Sequence, residues 1–314
     1  MSARKQVWLD ADPGHDDAIA ILLALHLPHI ELVGLSTVHG NTSVENATGK
    51  FPQVCQDVSL MTEIHGKDGL AGVLGLPDPD HPSVQTMVTR ARALNVVESM
   101  AQAARSRHTG HAKLTIVATG ALTNVALFVA TYPDLVRDNI EQIVLMGGAE
   151  GRGNMAPTAE FNILIDPEAA QMVFDADVPV VMIPLNVTHT NIYTTRQSEI
   201  LEGSTPLRRM LSTVLEYFRY SYEVVFGFKT GPPVHDPLCL FFVTSPGSFE
   251  GKRYRVDVEL AGQHTAGTTV IDLYNFRELP QDGLWGKEGR NVWVAETADI
   301  DQFWIVFHEI KSRP

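Results

Sequence analysis

Four aspartates, Asp10, Asp12, Asp16 and Asp17, crowd the stretch WLDADPGHDDAIAIL (residues 8–22), where an apolar run gives way to a helix-like one. Carboxylates this close either share protons or bind a cation. A hard ion such as Ca²⁺ takes oxygen ligands from Asp side chains and backbone carbonyls. Acids at a helix start also cap it and complement its dipole. One or two acids meet that need; four, with a Pro-Gly turn between them, exceed it and point to a cation site.

Other uses of this acidic stretch fit less well. An EF-hand loop counted from Asp10 needs Gly at its sixth place and Glu at its twelfth, where this chain has His15 and Ile21. An aspartate nucleophile with a second acid two residues on accommodates Asp10 and Asp12 but leaves the turn and Asp16–Asp17 without a task. The glycine-rich GGAEGRGN (147–154) lacks the GxGxxG spacing of a dinucleotide loop. Farther on, GPPVHDP (231–237) sets His235 beside Asp236. An imidazole can act as a general acid near neutral pH, and Asp236 can add a ligand to a cation held by Asp12 and Asp17.

The elements that must position these groups alternate along the chain. QVWL, IELVGLSTV, KLTIVAT, IEQIVLMGG and VPVVMIPLNVTH read as apolar strands. DDAIAILLALHL, GALTNVALFVATYP (ended at Pro133) and DPEAAQMVFDAD read as helices between them. This order predicts βαβ units and a mostly parallel sheet. In such sheets ligands bind outside the carboxyl ends of the strands, and those ends carry DADPGHDD, TVHGN, ATGALTN and MGGAEGRGN. Residues 206–228 have helical apolar spacing and end in a crowd of aromatics that includes Tyr217, Tyr222, Phe226 and Phe228. Core packing accounts for most of them, with base stacking open to one or two. RYRVDVEL, GTTVIDLY and NVWVAET alternate as late strands, and DIDQFWIVFHEIKS closes as a helix.

Composition narrows the partners. The 314 residues carry a net charge of −13, which argues against nucleic acid or an anionic membrane as the partner. Cys55 and Cys239 form no framework or metal spacing. The opening MSARKQVWLD has no apolar signal core, and no run is long enough to span a bilayer. These features predict a cytoplasmic protein with a small-molecule ligand.

The motifs together resemble the inosine-uridine-preferring nucleoside hydrolase family. DADPGHDDAIAILLA, VHGN, IHGKDGL, TGALTN, IVLMGG, AEFNILIDPEAA and HDP match its pattern in order, from about residue 7 to the C-terminus. The resemblance implies a single Rossmann-like α/β domain (1–314) with a mostly parallel sheet and the active site at the strands' carboxyl ends. It implies hydrolysis of ribonucleosides (uridine and other pyrimidine nucleosides, inosine or nicotinamide riboside) to ribose and free base. Ca²⁺ would be held by Asp12, Asp17, the Thr119 carbonyl and Asp236, with Asp12 also the general base. Asp16, Asn41, Asn154, Glu160 and Asn162 would bind the ribose and Met146 would line the pocket. His65 would lie near the base, and His235 would face the leaving base as its acid. A homodimer or homotetramer is implied. Asp10 is expected to support the loop.

One departure accompanies the resemblance. Between VHGN and IHGKDGL the family carries a helix, a strand and a loop. This chain has only TSVENATGKFPQVCQDVSLMTE (42–63), roughly twenty residues short, little room for a unit whose crossover alone takes ~10–12. A shortened or mis-spliced gene is one account of the gap and a true variant with a smaller sheet the other, and the alternative to an active enzyme is a family member made inactive or unstable by the loss.

Overall fold

The computed structural model describes residues 4–41, 64–65, 70, 93–106, 113–201, 206–280 and 285–310. The shortened stretch between Asn41 and His65 lies outside the described residues.

Strand β1 (Lys5–Ala11) is buried from its second residue to its last. It pairs in parallel with β2 (Ile30–Thr37) on one side and β3 (Leu114–Ala118) on the other. Beyond β3 follow β4 (Ile140–Met146) and β5 (Val180–Ile183), both parallel. Two later strands complete a seven-stranded sheet among the described residues. β9 (Val292–Ala298) is parallel to β5, and β6 (Phe249–Tyr254) is antiparallel to β9 at the edge.

Side chains alternate across this sheet with period two, so each strand feeds two cores. Val7, Leu9, Val117, Val144 and Val181 face one side. There α1 (His15–His26), α10 (Pro237–Thr244) and α11 (Ile300–Ile310) cover them with Ile19, Leu23, Leu240 and Phe303. Trp8, Ile116, Ile143, Leu145 and Met182 face the other. There α2 (Ala93–Arg105), α3 (Thr123–Thr131) and α6 (Pro167–Phe174) bring Met100, Phe128 and Phe174. A sheet covered on both faces needs nearly continuous apolar strands, as the sequence has. The remaining helices are α4 (Pro133–Asn139), α5 (Phe161–Ile165), α7 (Leu185–Thr188), α8 (Thr195–Leu201) and α9 (Pro206–Phe226). None of the helices among the described residues is long and apolar enough to cross a membrane.

Three elements differ from the sequence reading. VPVVMIPLNVTH is a strand only to Ile183. Pro184, lacking an N–H for the ladder, turns the chain and serves as N-cap of α7. Pro133 does not only end α3; it is also the first residue of α4, where a missing N–H is tolerated. RYRVDVEL is two strands in two sheets. β6 ends at Tyr254, and β7 (Val256–Val258) pairs with β8 (Thr269–Ile271) over α6. The break falls at buried Arg255, which donates to Asp175, Asp257 and the Gly286 and Lys287 carbonyls. Alternation continues through the break, so periodicity alone does not reveal it.

Candidate active site

The carboxyl ends of β1, β2 and β3 converge on Asp12. Asn41, in the loop after β2, donates its N–H to Asp12 Oδ2 (2.9 Å), and its side-chain amide to the Asp12 carbonyl (3.0 Å) and to Asp17 Oδ2 (3.2 Å). Asp17 also accepts from the Gly14 N–H (2.9 Å) and from the Thr119 hydroxyl (2.7 Å). Backbone packs tightly around Asp12. A Cβ on Gly40 would stand 1.8 Å from Asp12 Oδ2, and one on Gly120 would stand 2.8 Å from Asp12 Cβ. Asp10 is tied elsewhere: its carboxylate accepts from Ser36 and Asn124, and its carbonyl from Thr119 N. It braces β1 against β2, β3 and α3.

Above these acids opens a cavity that is partly open to solvent. Asp16, Asn41, His65, Thr119, Met146, Asn154, Glu160, Asn162, His235 and Asp236 all line it. Asp12 and Asp17, at 1% and 0% exposure, are buried but are not among the wall residues.

The loop after β4 and helix α5 build one wall. Glu160 is the N-cap of α5, its carboxylate accepting from the Asn162, Ile163 and Gly148 N–H groups. Asn154 accepts from Phe161 N (3.0 Å). The Asn162 amide bridges the Thr119 carbonyl (2.9 Å) and the Met146 carbonyl (3.0 Å), joining the ends of β3 and β4. The Thr119 carbonyl keeps a second lone pair for another partner.

The opposite wall comes from α9 and the loop before α10. Phe218, Tyr222 and Phe226, each four residues apart, present one face of α9 to the cavity, beside Ile64, Met155 and Phe161. His65 Nδ1 accepts from the His15 N–H (3.2 Å), and its ring tilts against Phe218. His235 Nδ1 lies 2.7 Å from the Thr188 hydroxyl and Nε2 lies 3.3 Å from the Tyr222 hydroxyl. Sequence reasoning missed Thr188, His15 and the apolar wall formed by Ile64, Met155 and Phe161. The four-residue step of Phe218, Tyr222 and Phe226 was the available signal.

The electrostatics are those of uncompensated acids. Burial, then repulsion from Asp17, pushes Asp16 up to about 7. Asp12 and Asp236 are raised well above the carboxylate range by burial and by their acidic neighbours, and Asp17 is raised by burial. Burial lifts Glu160 to about 7 against its backbone donors, and Asp10 to about 6. Ligand oxygens of Asp16, Asp17 and Asp236 lie within 4.8 Å of one another. Asp12 Oδ1 is buried with no hydrogen-bond partner among the described residues. A donor set of carboxylate oxygens, one of them unpartnered, fits a hard cation. The gathered trio contains Asp16, where the sequence reading had Asp12. Burial, followed by the nearby His189, keeps His235 well below the usual histidine range.

This is an α/β protein with an acid-floored cavity at the carboxyl ends of a mostly parallel sheet. The family model for inosine-uridine preferring nucleoside hydrolase matches residues 7–305. The chain belongs to that family, whose chemistry is hydrolysis of a nucleoside's N-glycosyl bond. It is 37% identical to the pyrimidine-specific ribonucleoside hydrolase RihA of Shewanella woodyi, covering 86% of this chain and 89% of that protein. It is 33% identical to a probable ribonucleoside hydrolase of Dictyostelium discoideum, covering 95% and 92%. In structure it is similar to the purine-preferring ribonucleoside hydrolase of Gardnerella vaginalis (TM-score 0.82, 25% identity, 98% of each chain).

Proposed function

We propose that this protein hydrolyses the N-glycosidic bond of ribonucleosides with the help of Ca²⁺, pyrimidine nucleosides such as uridine foremost, giving ribose and free base. The observation that carries the reading is the cavity itself, which gathers the carboxylates of Asp16, Asp236 and Glu160 with the His235 imidazole and the aromatic wall of Phe218, Tyr222 and Phe226. The similarity to pyrimidine-specific relatives supports the preference for uridine, and the fold shared with a purine-preferring enzyme supports inosine as the second substrate. Nicotinamide riboside is a third candidate.

Asp12, Asp17, Asp236 and the Thr119 carbonyl would hold the ion, with Asp16 turned to the ribose. Bound Ca²⁺ would supply the positive charge that lets these acids ionise together, and would lower the pKa of a water. Asp12 would be the general base toward the attacking water. The floor's negative charge stabilises the oxocarbenium-like sugar more than the ground state. Asn41, Asn154, Glu160 and Asn162 hold the ribose, Met146 packs against it, and His65 lies beside the base. His235 presents a donor to the departing base. The family resemblance supports assembly as a homodimer or homotetramer, read by light scattering.

The test is a panel of uridine, cytidine, inosine and nicotinamide riboside assayed for reducing sugar, with Asp12→Ala beside the wild type. Wild type should release ribose, and Asp12→Ala should release none. An Asp12→Ala enzyme that keeps its rate refutes the mechanism. A wild type that binds about one Ca²⁺ per chain and melts cooperatively, yet cleaves nothing, is the inactive relative.

A further inference from the structure

We infer that Thr188 is a positioning residue for the leaving group: its hydroxyl fixes the tautomer of His235 so that Nε2 carries the hydrogen and meets the departing base. The inference rests on the reading of His235 given above.

Thr188 is the last residue of α7, fully buried, and its Oγ1 lies 2.7 Å from His235 Nδ1. A threonine hydroxyl has one hydrogen to donate. Among the described residues the Thr188 hydroxyl has no other hydrogen-bond partner. It is buried away from water, so its hydrogen is satisfied only by pointing at Nδ1. A nitrogen that accepts carries no hydrogen of its own, and the neutral ring then bears its hydrogen on Nε2. Nε2 is the atom turned toward the Tyr222 hydroxyl, at 3.3 Å, and both residues line the cavity. The other tautomer would strand the hydroxyl hydrogen and offer the base a lone pair instead of a donor.

The placement of Thr188 follows from the fold. Pro184 ends β5 and starts the single turn that carries Thr188 inward. The loop bearing His235 is clamped to the same segment: Val234 N donates to the Asn191 carbonyl (2.8 Å) and the Asn191 amide donates to the Val234 carbonyl (2.7 Å). Threonine and imidazole are therefore held in register by Asn191, through its backbone carbonyl and its side-chain amide.

As the C1′–N bond breaks, its electron pair leaves on the base and the Nε2–H hydrogen bond stabilises that charge. No proton need leave the ring. The water oxygen bonds to C1′, one of its hydrogens stays on the new hydroxyl, and the other ends on the base. A hydrogen bond that strengthens as charge develops acts on kcat rather than on KM.

The test compares two leaving groups on Thr188→Val, Thr188→Ser and wild type: uridine, and 4-nitrophenyl β-ribofuranoside, whose leaving aryl oxide needs no donor. The readout is the ratio of the two kcat values, which is indifferent to the fraction of enzyme that folds. Thr188→Val should shift the ratio against uridine by about 10- to 100-fold, within the range of a single transition-state donor. Thr188→Ser should restore it to within about threefold of wild type, and KM should move little. Long-range ¹H–¹⁵N spectra of histidine-labelled protein should show His235 protonated at Nε2. An unchanged ratio in Thr188→Val, or protonation at Nδ1 in wild type, overturns the inference. His235→Ala separates the two levels. If it leaves the ratio unchanged, the leaving-group reading of His235 fails. If it shifts the ratio and Thr188→Val does not, only the role of Thr188 fails.

Discussion

Replacing Asp16 by Asn should make the metal-free protein more stable and less active. Asp16 is 5% exposed, and its carboxyl sits at about 7 against an ordinary 3.8 because of burial and the neighbouring Asp17. A group with a raised folded value costs nothing well below its ordinary 3.8, where it is protonated folded or unfolded. The cost grows as pH rises toward 7 and is constant above. At about 1.4 kcal/mol per pH unit, the difference between 3.8 and 7 amounts to roughly 4 kcal/mol at pH 8. Unfolding entropy of about 2.1 cal/mol/K per residue over 314 residues converts this to about 6 °C in Tm. Melts in chelator at pH 8 should place Asp16→Asn above wild type by up to that amount, and at pH 5 by less than half of it. Added Ca²⁺ should raise wild type more than the variant, since the cation relieves a repulsion that the variant has already lost. Ribose release should fall. A variant that melts below wild type in chelator at pH 8 would refute the claim that this floor is a cluster of uncompensated charges.

Two further substitutions separate the site from its scaffold. Gly40→Ala places a Cβ on the Asp12 carboxylate, so Ca²⁺ affinity by calorimetry should drop about 10- to 100-fold, as when a supporting group is lost. Arg255→Ala should leave kcat on uridine unchanged and lower stability by about 1–3 kcal/mol in denaturant titration, the cost of leaving buried acceptors unmet. It strips a buried charge from Asp175 and Asp257.

The alternation of strands and helices, the mostly parallel sheet and the polar strand ends that line the cavity were legible in the sequence, and for a local reason. Apolar runs such as LTIVA and IVLM can be buried only in a covered sheet, and the polar residues that end them must then share one edge. Asn41, Thr119, Met146 and Asp236, far apart in the chain, are read together because each follows a strand or opens a helix. The resemblance to a family added the tasks, which spacing could not assign.

Tertiary structure decided what no local pattern carries. Alternation in RYRVDVEL is the same on both sides of Arg255, yet the chain changes sheets there, because the partners of a strand are remote residues. Phe218, Tyr222 and Phe226 read as core; Phe218 and Tyr222 are buried and Phe226 packs half-buried against them, yet all three also line the cavity. The acids of DADPGHDD divide by what surrounds them: Ser36 and Asn124 claim Asp10, Asn41 claims Asp12, and Asp236 reaches Asp16 and Asp17 from more than two hundred residues away. The sequence alone determined that four carboxylates would be brought together; burial and the fold's long-range partners determined which of them gather as one charge cluster.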